Sequence, residues 1–139
     1  MIAQLQLAEV GDAFVTRWQG LPFQLDARGP DAVDCWGLAM AWVSDVLRQP
    51  ALPDWRVADH GRAWIAQTMT QEARTHWRPC PPRDGCLVLA IRFRAPNHIG
   101  IVWRGSVLHA DECRGEVILE RLADFQQLHP RHSFGDYVP

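Results

Sequence analysis

A chain of 139 residues, 47% hydrophobic with a net charge of −2, has the length and apolar content for one core, and one domain over residues 1–139 is expected. Its 14 basic and 16 acidic side chains and pI near 6.3 supply no basic field, which argues against nucleic acid as a partner. No run is apolar enough to span a membrane, and Met1-Ile2-Ala3-Gln4 has neither the basic nor the apolar region of a signal peptide. Synthesis in the cytoplasm, with the four cysteines reduced and no membrane partner, is therefore expected.

Leu7, Val10, Phe14 and Trp18 recur at helical spacing and predict an N-terminal helix that Gly20 ends. Residues 20–33 follow as a loop rich in Gly, Pro and Asp. Asp34-Cys35-Trp36-Gly37-Leu38 then places a cysteine where the next helix begins, with Asp34 a good N-cap. Leu38, Ala41, Trp42 and Val46 give that helix one apolar face to about Arg48, before Pro50. A thiol over unpaired N–H groups and the positive end of the helix dipole is expected to be partly thiolate near neutral pH. Burial as a small hydrophobe is the ordinary alternative for such a cysteine.

Ile65, Met69, Ala73 and Trp77 predict a further helix over residues 59–77, with Asp59 as its cap, and Pro79, Pro81 and Pro82 break the chain after it. Strands are predicted near 86–93, 98–103, 106–111 and 116–121. Arg104-Gly105 reads as a two-residue turn, so Trp103 faces Ser106, His109 lies opposite Gly100 and His98 opposite Asp111. Both histidines then share one sheet face as diagonal neighbours, with Cα atoms roughly 7–8 Å apart. Ile99, Ile101, Trp103 and Leu108 take the other face as core. Helices first and an antiparallel sheet afterwards give an α+β fold. Residues 124–139 read as a short tail wrapped on the body, without a function.

Cys35 with His98 and His109 supplies the parts of a nucleophile site. His98 would take the thiol proton and later protonate a leaving amine, His109 would orient His98, and the Cys35 N–H would face an oxyanion. Asp111 is the next candidate for the third position. Cys80, Cys86 and Cys113 lack C-x-x-C spacing, so no metal site is expected, and thiol chemistry requires no cofactor.

The stretches Trp18-Gln19-Gly20-Leu21-Pro22-Phe23 and Gly29-Pro30-Asp31-Ala32-Val33-Asp34-Cys35-Trp36-Gly37-Leu38 resemble the opening of NlpC/p60 cell-wall cysteine peptidases. Arg83-Asp84-Gly85-Cys86-Leu87-Val88-Leu89 is similar to their first sheet strand, His98-Ile99-Gly100-Ile101-Val102 to the histidine strand, and Leu108-His109-Ala110 to the strand of the third catalytic residue. The resemblance covers about residues 10–120 and implies a papain-like fold with N-terminal helices on a small antiparallel sheet. It also implies a cysteine peptidase acting on an amide of peptidoglycan stem peptides, with catalytic Cys35, His98 and His109. A tryptophan after the cysteine and the later Leu52-Pro53 are most similar to the branch in tailed phages and prophages, which implies phage tail proteins as partners and action on the cell wall from a virion tail. Phe23 stands where the family usually has tyrosine, Cys86 replaces a common aspartate, and a double glycine before the cysteine is missing.

Phe23, Asp34 and Trp36 are the substrate-binding candidates, with Trp36 and Trp55 open as cleft lining. Trp18, Trp42, Trp64, Trp77 and Trp103 are expected in the core. His129 and His132, in the tail, are expected to be solvated, and no function is assigned to His60. Two other functions fit the same residues: a catalytically weak tail-assembly protein of this fold, and an amidase toxin or acyl transferase using the same site.

Overall fold

The computed structural model describes residues 4–59, 61–92 and 95–138, with the backbone alone for residues 59, 62, 65, 92 and 95. His60 lies outside the described residues. Helix α1 (Gln4–Trp18) turns Phe14, Val15 and Trp18 inward. Asp12 on its outer side accepts from Trp103 Nε1 at 2.9 Å and from the Arg104 guanidinium at 2.8 and 2.9 Å, tying α1 to a hairpin far along the chain.

Helix α2 (Cys35–Ala41) continues into a π-helical turn at Trp42–Val46, where Leu47 N–H donates to the Trp42 carbonyl at 3.1 Å. The expected helix is thus present, but its end is widened, and Trp42, Val43 and Val46 are all buried there. Trp42 is fully enclosed; its ring meets Phe14 and Trp103 edge-on, and its Nε1 donates to the Gly85 carbonyl at 3.0 Å. After a 3-10 turn at Val57–Asp59, helix α3 (Arg62–His76) starts later than its periodicity suggests. Gly61, at φ 86, is its N-cap, so the cap is not Asp59.

The sheet has six strands: β1 (Trp77–Pro79), β2 (Leu87–Arg92), β3 (Ala95–Trp103), β4 (Ser106–Asp111), β5 (Glu116–Arg121) and β6 (His132–Tyr137), in the order β1-β6-β2-β3-β4-β5 with antiparallel neighbours throughout. Four were expected, with nearly these limits. Trp103 pairs with Ser106 across Arg104-Gly105, both at positive φ as this turn requires. The tail is built in differently from expectation: it forms helix α4 (Leu122–Leu128) and then β6, which fills the space between β1 and β2.

The main core lies between the helices and one sheet face, and includes Ile99, Ile101, Trp103 and Leu108 as alternation required. A smaller core on the opposite face gathers Cys86, Val88, Ala90, Val102 and Val107 around Phe125 of α4. Trp18, Trp42 and Trp103 are core residues. Trp64, near the start of α3, and Trp77, the first residue of the edge strand β1, are only half-buried. The architecture is α+β, helices packed on an antiparallel sheet.

Candidate active site

Asp34 caps α2: its Oδ1 accepts from Gly37 N–H at 2.8 Å. The same oxygen takes Arg28 Nη1 at 2.8 Å, and Oδ2 takes the Asp26 N–H at 2.8 Å. Asp34 is only 4% exposed, so these bonds compensate a buried charge. Arg28 also reaches Asp54 at 2.9 Å and the Trp55 carbonyl, while the Asp26 carboxylate accepts from the N–H groups of Val57 and Ala58. Two loops are thereby clamped around the start of α2. Gly37 permits the close approach, since a Cβ there would stand 2.6 Å from the Ala27 carbonyl oxygen.

Cys35 occupies the first position of this helix, and its thiol is enclosed although the residue is partly open to a cleft. Backbone N–H groups of Ile99, Trp36 and Cys35 itself lie by the sulfur and favour its anion. Burial, and then the Asp34 carboxylate, outweigh them and push the thiol up to about 12. This corrects the thiolate expectation: the capping residue that starts the helix is itself a negative charge beside the sulfur. In the free protein the Cys35 side chain is a neutral thiol at neutral pH.

The histidines meet on the face that strand alternation assigned to them. His98 Nε2 and His109 Nδ1 are 2.8 Å apart, with the rings nearly perpendicular at 76°. Gly100 is the reason β3 and β4 carry them this closely. A Cβ on it would lie 2.6 Å from Val107 Cγ1 and 3.3 Å from His109 Cβ. His98 lines the cleft beside Cys35, whereas His109 is 1% exposed. The His109 imidazole lies under Phe125, whose ring meets it edge-on at 5.1 Å, and burial lowers its pKa from 6.5 to about 4.

Two features here escaped the sequence reading. Glu120 Oε1 stands 3.1 Å from His109 Nε2, and Glu120 Oε2 accepts from Arg114 Nη2 at 3.0 Å. Pairing β4 with β5 would have located Glu120: His109 faces Ile118, and Glu120 lies two residues further on the same face. His129, just past α4, stacks against His98 at 5.9 Å and lies 4.5 Å from Phe125, so the tail segment covers the histidine pair. It is half-buried rather than solvated, and His132 Nδ1 lies 2.7 Å from the His129 carbonyl oxygen. The Asp111 carboxylate accepts from the N–H groups of Cys113 and Arg114 and shapes the β4–β5 turn.

The cleft over Cys35 has a volume of about 300 Å³ and is lined in part by Phe23, Leu25, Trp36, Asn97, His98 and Glu112. Phe23 is half-buried in its wall. Trp36 is 5% exposed, stacked on Trp55 at 3.9 Å, and its Nε1 donates to the Pro53 carbonyl at 2.7 Å. It offers the cleft little surface and locks the segment before the 3-10 turn. Asp34 also borders the cleft, but both its oxygens are engaged in the loop clamp. Among the described residues no group of three or more His, Cys, Asp or Glu side chains is placed to hold a metal ion.

The fold is that of the NlpC/p60-type proteins. It is similar to that of a lipoprotein-like NLP/P60 family protein from Staphylococcus aureus at TM-score 0.64 and 15% identity, over 99% of this chain and 43% of that one. NlpC2 from Trichomonas vaginalis gives TM-score 0.64 at 17% identity, over 100% of this chain and 49% of that one. The NlpC/p60 domain of the peptidoglycan hydrolase SagA gives 0.61 at 17%, over 91% and 97%. The chain thus spans less than half of the first two proteins and nearly all of the SagA domain. No family model and no curated protein sequence matches it, so the likeness is one of fold.

Proposed function

We propose that this chain is an NlpC/p60 family cysteine peptidase that hydrolyses an amide bond of peptidoglycan stem peptides. The observation that carries this reading is the joint placement of the Cys35 sulfur beside the Ile99 N–H and of His98 against His109, in a fold of this type. Cys35 attacks the amide carbon as its proton passes to His98, and the Cys35 backbone N–H faces the developing oxyanion. His98 returns the proton to the leaving amine, which leaves a thioester on Cys35. Water, activated by the same imidazole, then hydrolyses the thioester and frees the thiol. Phe23 supplies apolar contact to the peptide in place of a hydroxyl.

Action on the wall as a phage or prophage tail component is the finer reading. Its support is the tryptophan that follows the cysteine, here stacked on Trp55 and bonded to Pro53 of the Leu52-Pro53 pair. Incubation with purified sacculi, followed by mass spectrometry of released muropeptides, tests the activity. Peptides cut at one stem-peptide amide by the wild type, and not by Cys35→Ala, are expected. Intact sacculi with both proteins would favour a tail-assembly role instead.

A further inference from the structure

The carboxylate of Glu120 is 8% exposed and touches two groups at once, His109 on one oxygen and Arg114 on the other. A carboxylate only accepts, so the proton between it and His109 belongs to His109 Nε2. Other groups also face His109: His98 from β3, Asp111 from β4 itself, Arg114 from the β4–β5 turn, and Phe125 and His129 from α4 and its end. Glu120 and Asp111 favour a second proton on the ring, while burial, His129 and Arg114 oppose it, and His109 stays neutral around pH 7. A neutral imidazole protonated on Nε2 has a bare Nδ1. That atom sits 2.8 Å from His98 Nε2, so His98 is the donor in this contact. The proton of neutral His98 then resides on Nε2, and its Nδ1 keeps the lone pair. Without Glu120 the chain could run in reverse, with His109 Nδ1–H donating to His98 Nε2 and the His98 proton on the wrong nitrogen.

We propose that Glu120, held by Arg114, is a positioning residue that fixes the tautomers of His109 and His98 so that the His98 Nδ1 lone pair is available to the Cys35 thiol. This rests on Cys35 and His98 being the reacting pair. When the thiol proton moves to Nδ1, the Nε2–H bond to His109 persists and no other proton must move.

The test is imidazole nitrogen NMR of the full chain, which reads tautomers without substrate. Nε2–H forms of both His98 and His109 are expected in the wild type. Glu120→Gln keeps an oxygen acceptor once the half-exposed Arg114 side chain swings to water, so it should keep both tautomers and most hydrolysis. Glu120→Leu should give mixed His109 tautomers and a roughly 10–100-fold loss of turnover. An Nδ1–H His109 in the wild type, or unchanged tautomers in a folded Glu120→Leu protein, would overturn the proposal. Because the spectra need no turnover, failure of the peptidase reading would show separately, as wild-type protein with the expected tautomers that leaves sacculi intact.

Discussion

The two halves of the cleft are prepared in opposite ways. On the cysteine side, the helix start is built with a buried carboxylate, and burial plus that charge hold the thiol at about 12. On the histidine side, His98, His109, Glu120 and Arg114 form an unbroken run of contacts at 2.8, 3.1 and 3.0 Å. The difference teaches that a cysteine at a helix N-terminus is not activated by that position alone. Desolvation and a neighbouring anion can exceed what the nearby N–H groups contribute. On the proposed mechanism, activation resides with the pre-oriented His98, and the Cys35 thiol gives up its proton only as it attacks.

The largest effect that would sharpen this contrast is loss of the base. His98→Asn has no group titrating near neutrality and should lose about 10²–10⁴-fold in turnover, the usual worth of general acid–base catalysis. His109→Asn should retain more activity than His109→Ala, because an amide can still hold the His98 ring by a hydrogen bond. Steady-state rates of the three variants decide this, and equal rates for the two His109 variants would break the orienting role.

A second effect is on stability. His109 is held at about 4 when folded against 6.5 when free, so between these values the unfolded chain binds a proton that the folded chain refuses. The penalty is absent above pH 6.5, grows as pH falls and is complete near pH 4, with a size on the order of 3 kcal/mol. Urea denaturation across this range should show that slope in the wild type, flattened in His109→Asn.

The smallest effect concerns the other half. In Asp34→Asn the amide cannot accept at both positions, and its NH₂ would face the Asp26 N–H or the Arg28 guanidinium. A cost of about 1–3 kcal/mol is expected in chemical denaturation. Yet loss of the carboxylate should lower the thiol pKa, so Cys35 should alkylate faster at neutral pH. Slower alkylation in a folded Asp34→Asn protein would refute the electrostatic contrast drawn between the two halves.

Legibility followed the range of the interactions. The α2 cap, the Arg104-Gly105 turn and the shared face of His98 and His109 are set by residues close in sequence, and alternation or spacing reveals them. β6 was invisible because only Gly135 in it is buried, so it carries no apolar alternation, and its place depends on partners far back in the chain. Helix α4 buries Phe125 alone. The state of the Cys35 thiol was misread because burial arises from tertiary packing, whereas the helix N-terminus is a local signal. Glu120 lay within reach of register reasoning once β5 was paired with β4.

The central claim is that Cys35 reacts only through His98. Alkylation of each cysteine by iodoacetamide, followed by peptide mapping at neutral pH in the wild type and in His98→Ala, tests it most directly. Cys113, exposed in the β4–β5 turn, should label readily and equally in both proteins. Cys35 should label more slowly than Cys113 in the wild type, and more slowly still in His98→Ala. Cys35 labelling that is indifferent to the loss of His98, in a folded variant, would contradict the account.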